Sequence, residues 1–429
     1  MKINIFKTIL LCCFGVITNL SAQAPVPAPA QSEAIAIVGA TAHLGNGQVI
    51  ENSLIAFAEG KLTLVETYQQ QPLDDYRVIQ AEGKHVYPGL IAPNTQLGLI
   101  EIGAVRATRD ENETGSLNPN VRSLIAYNTD SQVTPTVRCQ GVLLAQVVPE
   151  GGLISGQSSV VQLDAWNWED AAYLTDGGIH LHLPVKRYYS WRRGTFRKNE
   201  AYDEQLEEIE RYFAEAQAYC QQSESAKENL KLSAACGLFS GSKKLYVHAN
   251  SVEAITQAIL LAQKHNITLV VVGGRDAWRI TDLLKENEVA VILESTQRLP
   301  GTPDEDVDLP FRTPQLLQEA GVLYCIGHEG FWEYRNLAFQ AGQAVGYGLE
   351  YEAAISALTL NTAQILGIDH RVGSLEVGKD AMLFICQGDV LDMRTSVVEA
   401  AFIQGREISL DNKQKTLYHK FQEKYRRGR

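Results

Sequence analysis

Residues 86–98 of this chain read Val-Tyr-Pro-Gly-Leu-Ile-Ala-Pro-Asn-Thr-Gln-Leu-Gly and are expected to form a strand. Side chains at positions i and i+2 of a strand point to the same face, so Asn94 and Gln96 should lie side by side. Both offer only neutral amide groups, and neither residue type is a common zinc ligand. The pair is therefore expected to be hydrogen-bonded inside a cavity.

Strands and helices alternate through the middle of the chain, which is the pattern of a parallel barrel. A surface helix is also expected at 203–220, because Leu206, Ile209 and Phe213 share one helix face. The runs expected to be further barrel strands are 141–148, 244–248, 267–273, 289–293 and 322–327.

Both ends of the chain indicate short strands. Residues 34–86 alternate apolar runs with turn residues such as Gly45-Asn46-Gly47, which is typical of a small β module. The segments 371–385 and 399–408 have a similar pattern.

Three motifs resemble the amidohydrolase superfamily. They are Pro88-Gly-Leu-Ile-Ala, Asn361-Thr-Ala-Gln-Ile-Leu-Gly and Arg371-Val-Gly-Ser-Leu-Glu-Val-Gly-Lys-Asp-Ala-Met-Leu-Phe-Ile. The resemblance runs from Ala34 to about Ile408, and the chain is similar to imidazolonepropionase-like and dihydroorotase-like metal-dependent hydrolases.

The resemblance implies an α/β fold, a (β/α)8 TIM barrel with a small β-sandwich formed by both chain ends. The expected segments are a signal peptide at 1–22, a linker at 23–33, the first part of the sandwich at 34–86, the barrel at 87–370, and the second part of the sandwich with the tail at 371–429.

The resemblance also locates a metal site, and the chain departs from it. The first strand of the family carries His-x-His, where this chain has Asn94 and Gln96. His248 matches the family histidine of strand five, and His180 stands at the position of the bridging lysine of strand four. The strand-eight aspartate is matched by Glu329, or by His328 in a shifted alignment.

These positions give the candidate site residues. His180 and His248 are the expected metal ligands, and Glu329 is the expected catalytic base. The residues expected at the barrel mouth or against a ligand are Asn94, Gln96, His182, His328 and Arg109. For each histidine the alternative is a hydrogen-bonded interior side chain. The cofactor expectation is no metal or one divalent ion, zinc if any.

Two functions remain open at this point. The first is an exported member of the superfamily with an eroded metal site, non-catalytic or weakly active, which binds a small-molecule ligand or a paralogous partner. The second is a metal-dependent hydrolase that acts on carbon–nitrogen bonds of dipeptides or other amides. A homo-oligomer, or a hetero-oligomer with a paralogous amidohydrolase, is the expected assembly.

The first residues predict export. Lys2 and Lys7 precede an apolar run from Ile9 to Leu20, and small residues suitable for cleavage follow this run. This pattern predicts a signal peptide and a periplasmic or secreted protein. The run is too short for a stable membrane span. The net charge of −12 argues against nucleic acid and anionic membrane surfaces as partners.

Cleavage would leave five cysteines, an odd number without C-x-x-C spacing, so a structural zinc site is not supported. Cys220 and Cys236 enclose two helical stretches, and in an oxidising compartment a bridge between them would stabilise the fold. Two unpaired thiols are the alternative. Cys139 and Cys325 are expected to be buried thiols.

Overall fold

The computed structural model describes residues 26–190, 192, 194–222, 228–300 and 305–427. The predicted signal peptide therefore lies outside the described residues. No helix in the described part of the chain is long and apolar enough to cross a membrane.

Eighteen strands are described, in two eight-stranded sheets and a small hairpin. In chain order they are β1 (Ile35–His43), β2 (Val49–Ala58), β3 (Lys61–Thr67), β4 (Arg77–Gln80), β5 (His85–Pro88), β6 (Leu90–Thr95), β7 (Val142–Val147), β8 (Ile154–Gln162), β9 (Ala172–His182), β10 (Arg187–Ser190), β11 (Thr195–Lys198), β12 (Lys244–Ala249), β13 (Leu269–Gly273), β14 (Ala290–Leu293), β15 (Tyr324–Ile326), β16 (Leu383–Cys386), β17 (Val398–Ile403) and β18 (Arg406–Glu407).

Twelve α-helices are described between and after them. They are α1 (Thr134–Arg138), α2 (Trp168–Ala171), α3 (Tyr202–Cys220), α4 (Leu230–Ser233), α5 (Cys236–Phe239), α6 (Val252–His265), α7 (Thr281–Glu286), α8 (Leu309–Ala320), α9 (Leu337–Val345), α10 (Tyr351–Leu358), α11 (Leu360–Leu366) and α12 (Lys413–Arg427).

One sheet joins both ends of the chain, as the sequence predicts. Its strand order is β18-β17-β16-β5-β1-β2-β3, with β4 paired to β1. The ends meet where β16 runs antiparallel to β5, with Leu383 opposite Pro88. Apolar side chains such as Ile37, Phe57 and Phe402 form the core of this sheet.

The second sheet is the barrel, in the order β15-β14-β13-β12-β9-β8-β7-β6. Within the described ranges β15 and β6 share no ladder, and side chains connect them instead. The Tyr334 hydroxyl donates to the Pro93 carbonyl, and the Thr95 hydroxyl donates to the Gly330 carbonyl at 2.9 Å. The predicted fold, a (β/α)8-type barrel with a sandwich built from both chain ends, is confirmed.

One strand of the barrel differs from the expected parallel pattern. β8 runs antiparallel to both β7 and β9. Only a short turn separates β7 from β8, and a parallel connection needs a crossover of a dozen or more residues. Gly151 and Gly152 in this turn have φ of +90° and +70°, which glycine adopts without a steric penalty.

Two buried carboxylates join the barrel to the sandwich. Asp380, in the closing motif, accepts hydrogen bonds from Tyr173 of β9 at 2.5 Å and from Arg371 at 3.0 Å. Asp164, which follows β8, accepts from Arg138 of α1 at 2.6 Å and from Arg406 of β18 at 3.0 Å.

The expected surface helix forms as α3 and buries Ile209 and Phe213 against the barrel. Cys220, its last residue, forms a disulfide with Cys236 across a Cα–Cα distance of 5.4 Å. The disulfide, which the sequence left as one of two alternatives, is confirmed. Cys139 and Cys325 are buried free thiols, also as expected.

Candidate functional site

The three central histidines lie on two adjacent barrel strands. His180 and His182 are on β9, and His248 is on β12, directly opposite His182 in the ladder. His180 is completely buried. The rings of His182 and His248 stack with centroids 4.0 Å apart, and the ring of His180 stacks on Tyr246 at 4.8 Å. The structure therefore brings both predicted metal ligands together, with His182 beside them.

A chain of hydrogen bonds connects these histidines to the first barrel strand. The Asn94 backbone N–H donates to Gln146 Oε1 at 3.0 Å, and Gln146 Nε2 donates to Ser158 Oγ at 3.1 Å. His180 Nε2 lies 2.9 Å from Ser158 Oγ, and His180 Nδ1 lies 3.1 Å from His248 Nε2. This polar network (Asn94, Gln146, Ser158, His180 and His248) spans five neighbouring strands of the barrel.

The sequence prediction missed Gln146 and Ser158. Gln146 is the single strongly polar residue in the buried run Val142-Leu-Leu-Ala-Gln-Val, which is a signal that a sequence could give. Ser158 lies on β8, a strand that the expected alternation of strands and helices did not include.

Burial keeps the imidazoles neutral. It lowers the pKa of His180 and His248 well below the ordinary value of 6.5, and the neighbouring His182 lowers both pKa values further. Burial also lowers the pKa of His182 to about 4. Three neutral rings can therefore lie together without charge repulsion.

One set of tautomers satisfies the polar network. Because Ser158 Oγ accepts from Gln146, its hydroxyl proton is free to donate to His180 Nε2. His180 then carries its proton on Nδ1 and donates it to His248 Nε2. In this arrangement both ring nitrogens of His180 are engaged within the protein.

The resemblance to the amidohydrolase superfamily implies a metal near these histidines. Two nitrogens bound to one tetrahedral zinc lie about 3.3 Å apart, close to the 3.1 Å between His180 and His248. The number of available donors is a stricter requirement for a zinc site than this distance. Across the described ranges, no three His, Cys, Asp or Glu side chains are grouped so that they could hold an ion. Catalytic zinc takes three protein ligands and structural zinc four, whereas the contact described here joins two imidazole nitrogens.

Asn94 has an unusual backbone. Its φ is +48°, and the β6–β7 register shifts between Ala92 and Thr95. The Asn94 side chain is buried, yet its Oδ1 atom has no hydrogen-bond partner. This oxygen therefore does not form the expected side-chain hydrogen bond, and Asn94 joins the network through its backbone N–H. Gln96 is also buried, and its N–H reaches the Gly330 carbonyl at 3.4 Å.

A carboxyl pair lies at the neighbouring strand ends. Glu294 directly follows β14, and its carboxyl group interacts with that of Glu329, which lies just beyond β15. Burial and the Glu329 charge raise the pKa of Glu294 to about 7, while Arg275 and Arg298 act in the opposite direction. Such a pair holds one proton near neutral pH and can pass it to or from a bound molecule.

The sequence prediction missed Glu294, although its position at the carboxyl end of a barrel strand is typical of functional residues. The structure also distinguishes Glu329 from His328, the two candidates for the position of the strand-eight aspartate. Glu329 contacts Glu294, whereas His328 bonds through Nδ1 to the Glu329 carbonyl at 2.7 Å, within its own loop.

Arg109 lies apart from the imidazoles. It forms hydrogen bonds of 2.5 and 3.0 Å to the buried carboxylate of Glu111, which is close to Glu150 at the end of β7. Burial, Glu111 and more distantly Glu329 raise the pKa of Glu150. Arg109 lines a separate groove of about 930 Å³, beside the loop that follows β6.

A second groove, of about 730 Å³, extends from His248 toward the outside. Its lining carries both signs of charge and several aromatic or apolar side chains. The charged lining residues are Lys186, Arg187, Glu253, Arg275, Asp276, Arg279 and Glu305.

The sequence matches the family described as "Amidohydrolase family" over residues 213–408. Among solved structures, an amidohydrolase from Thermotoga maritima MSB8 is 25% identical with a TM-score of 0.78, and the alignment covers 87% of this chain and 99% of that one. No curated protein matches the sequence.

Two more distant structures show similarity of fold alone. A putative prolidase from Bifidobacterium longum is 16% identical with a TM-score of 0.53, over 90% of this chain and 97% of that chain. An adenosine deaminase from Xanthomonas campestris with bound zinc is 13% identical with a TM-score of 0.52, over 93% and 99%.

Proposed function

We propose that this chain, which belongs to the amidohydrolase superfamily, binds a small polar ligand at its barrel mouth and has no binuclear metal centre. Superfamily members generally use a divalent metal, and the adenosine deaminase of the same fold contains zinc. Here the donors for two ions are missing. Two amides stand in place of the first-strand histidines, and His180 stands in place of the bridging lysine.

The 3.1 Å contact between His180 and His248 carries this proposal. A histidine that ligates a metal needs a free lone pair directed at the ion, and its other nitrogen is held by a neighbour. In the tautomers inferred above, Ser158 and His248 occupy both nitrogens of His180. The network thus supports the interior of the barrel without an ion.

The charged side chains of the groove beside His248 indicate which class of ligand would bind there. It has cationic side chains at Lys186, Arg187 and Arg279 and carboxylates at Glu253 and Asp276. Lys186 is paired with Glu253 at 2.5 Å, but both side chains are more than half exposed, so this ion pair is weak and can be exchanged for a ligand. A zwitterion presents both charges at once and matches this lining.

Thermal shift measurements with a panel of zwitterionic dipeptides test the proposal. At least one dipeptide should raise the melting temperature of the full chain, and Arg275→Ala should abolish that shift. Lys285→Ala, on an exposed part of α7, is the control and should keep the shift. A panel without any shift, or one in which Arg275→Ala has no effect, argues against ligand binding at this mouth.

A mononuclear hydrolase is the second candidate, and one observation favours it. His182 Nε2 is buried without a hydrogen-bond partner, next to His248 and to the groove. His182 and His248 would hold the ion, which would supply activated water. Glu329 would accept the proton from that water. Amide hydrolysis that requires one equivalent of zinc, and that His182→Ala removes, would replace the first proposal by this one.

Export is part of the proposal and rests on residues 1–24, whose charged start, apolar run and small residues fit a signal peptide. The disulfide between Cys220 and Cys236 is consistent with an oxidising compartment. Amino-terminal sequencing of the protein from a periplasmic extract should show cleavage close to Ala22. An intact Met1 in that fraction would contradict it.

A further inference from the structure

The C-terminal helix α12 (Lys413–Arg427) differs from every other long helix described, because none of its side chains is buried. α3, by contrast, buries Ile209, Phe213 and Ala216. The contacts of α12 with the fold are at its start. Asn412 donates to Cys139 Sγ at 3.1 Å, and Thr136 donates to Gln414 Oε1 at 3.2 Å.

Beyond this attachment, α12 exposes large apolar side chains. Leu417 is 42% exposed, Phe421 48%, Tyr418 62% and Tyr425 68%. At about 100° per residue, these four residues fall within one arc of roughly 100° on the helix surface. An apolar arc of this width is what a helix normally buries, so something outside the described fold is needed to cover it.

The charges of α12 are arranged around this arc. Six cations and a single acid occur between 413 and 427, in a chain whose net charge is −12. Lys413, Lys420, Lys424 and Arg427 flank the arc on one side, and Lys415 and Arg426 flank it on the other. Glu423, the acid, is almost directly opposite the arc and is paired with Arg427.

We propose that α12 docks the protein on an anionic phospholipid bilayer. A helix that lies in a membrane interface buries an apolar arc just below the headgroups and places cations along both borders, against the lipid phosphates. Long lysine side chains reach the headgroup level from such borders. The flanking cations and the opposed acid of α12 match this arrangement along the whole helix.

Charge complementarity selects the lipid surface as the occupant. A globular partner would cover the apolar arc without requiring cations on both borders. The acidic net charge of the whole chain does not oppose docking through α12, because exposed charges farther apart than about 8 Å are largely screened at physiological salt. The basic helix is the element that would touch the membrane.

Vesicle co-sedimentation of the full chain tests the proposal. The protein should bind vesicles of equal parts phosphatidylglycerol and phosphatidylcholine, should not bind pure phosphatidylcholine, and should be released in concentrated sodium chloride. Lys420→Glu/Lys424→Glu should weaken binding by at least about 25-fold, since each cation contributes about fivefold. Leu417→Ser/Phe421→Ser should also abolish binding.

Lys198→Glu/Lys285→Glu is the matched control, because it makes the same change in net charge on exposed residues elsewhere. It should bind as the unchanged protein does. The α12 variants should keep their melting temperature, because α12 has no buried side chain. Absence of binding to the anionic vesicles, or equal loss in the control, overturns the proposal. A dimer without lipid that Leu417→Ser/Phe421→Ser dissociates would identify a second copy as the occupant instead.

Discussion

His180 Nδ1 lies 3.1 Å from His248 Nε2, between the adjacent barrel strands β9 and β12. Burial holds the pKa of both rings well below the ordinary value, so the contact joins two neutral imidazoles. The other ring nitrogen of His180 contacts Ser158, which is connected to the first barrel strand, β6, through Gln146. The interior of this barrel mouth is thus a hydrogen-bonded network that runs from β12 to β6.

Gln146→Leu should destabilise the protein. The leucine keeps a similar volume but leaves the buried Asn94 N–H without its acceptor and Ser158 Oγ without the Gln146 donor, which costs about 2 kcal/mol of unfolding free energy. Urea unfolding measures the change. Gln69→Leu, at an exposed position, is the control and should stay within about 0.5 kcal/mol. Equal effects of the two substitutions would mean that the network adds nothing to stability.

Glu294 should make stability depend on pH. Its pKa of about 7 in the fold lies above its ordinary value of 4.5, so between these values the folded state holds a proton that the unfolded chain has lost. Stability from this group is complete below about pH 4.5 and is lost as the pH rises through about 7. Glu294→Gln cannot titrate and should flatten this fall by more than about 1 kcal/mol.

Chemical denaturation at several pH values measures this slope. Glu82→Gln, at an exposed site, should follow the unchanged protein. If Glu294→Gln shows the same slope as Glu82→Gln, the carboxyl pair does not share a proton as inferred.

The disulfide should stabilise the fold chiefly by restricting the unfolded chain. Cys220 and Cys236 are 16 residues apart, and a loop of this size corresponds to about 3 kcal/mol. Cys220→Ser/Cys236→Ser should lower the unfolding free energy by about that amount. Reductant should have the same effect on the unchanged protein and none on the variant. A variant that still responds to reductant would indicate a different bridge.

Asp164→Asn should be strongly destabilising, because it leaves the buried Arg138 guanidinium without a charge partner and weakens the link to Arg406. Removing one member of a buried pair costs about 3–5 kcal/mol. Glu200→Gln removes the same kind of charge from an exposed pair with Lys198 and should change stability by less than about 1 kcal/mol. Similar losses in both variants would show that burial at Asp164 is unimportant.

The sequence was sufficient for the architecture. The alternating apolar runs predicted a parallel barrel and short strands at both chain ends. The resemblance of the Pro88 and Arg371 motifs to the amidohydrolase superfamily implied that the two ends form one sandwich. The antiparallel β8 was not predicted because its course depends on the length of a single turn, between Val147 and Ile154.

The site was only partly accessible from the sequence. His180 and His248 were expected close together because the resemblance assigns both to the metal site, and the structure places them so, with His182 beside them. Gln146 and Glu294 were not identified, because the family pattern gives their positions no metal role. The positive φ of Asn94 lies where the β6–β7 register shifts, and the sequence does not specify this local irregularity.

Elemental analysis of the full chain, purified without chelator after expression with added zinc, tests the central claim most directly. The polar network predicts well below one zinc per chain, and no change in that content on His248→Ala. Two zinc ions per chain, both lost on His248→Ala together with amide hydrolysis, would contradict the account.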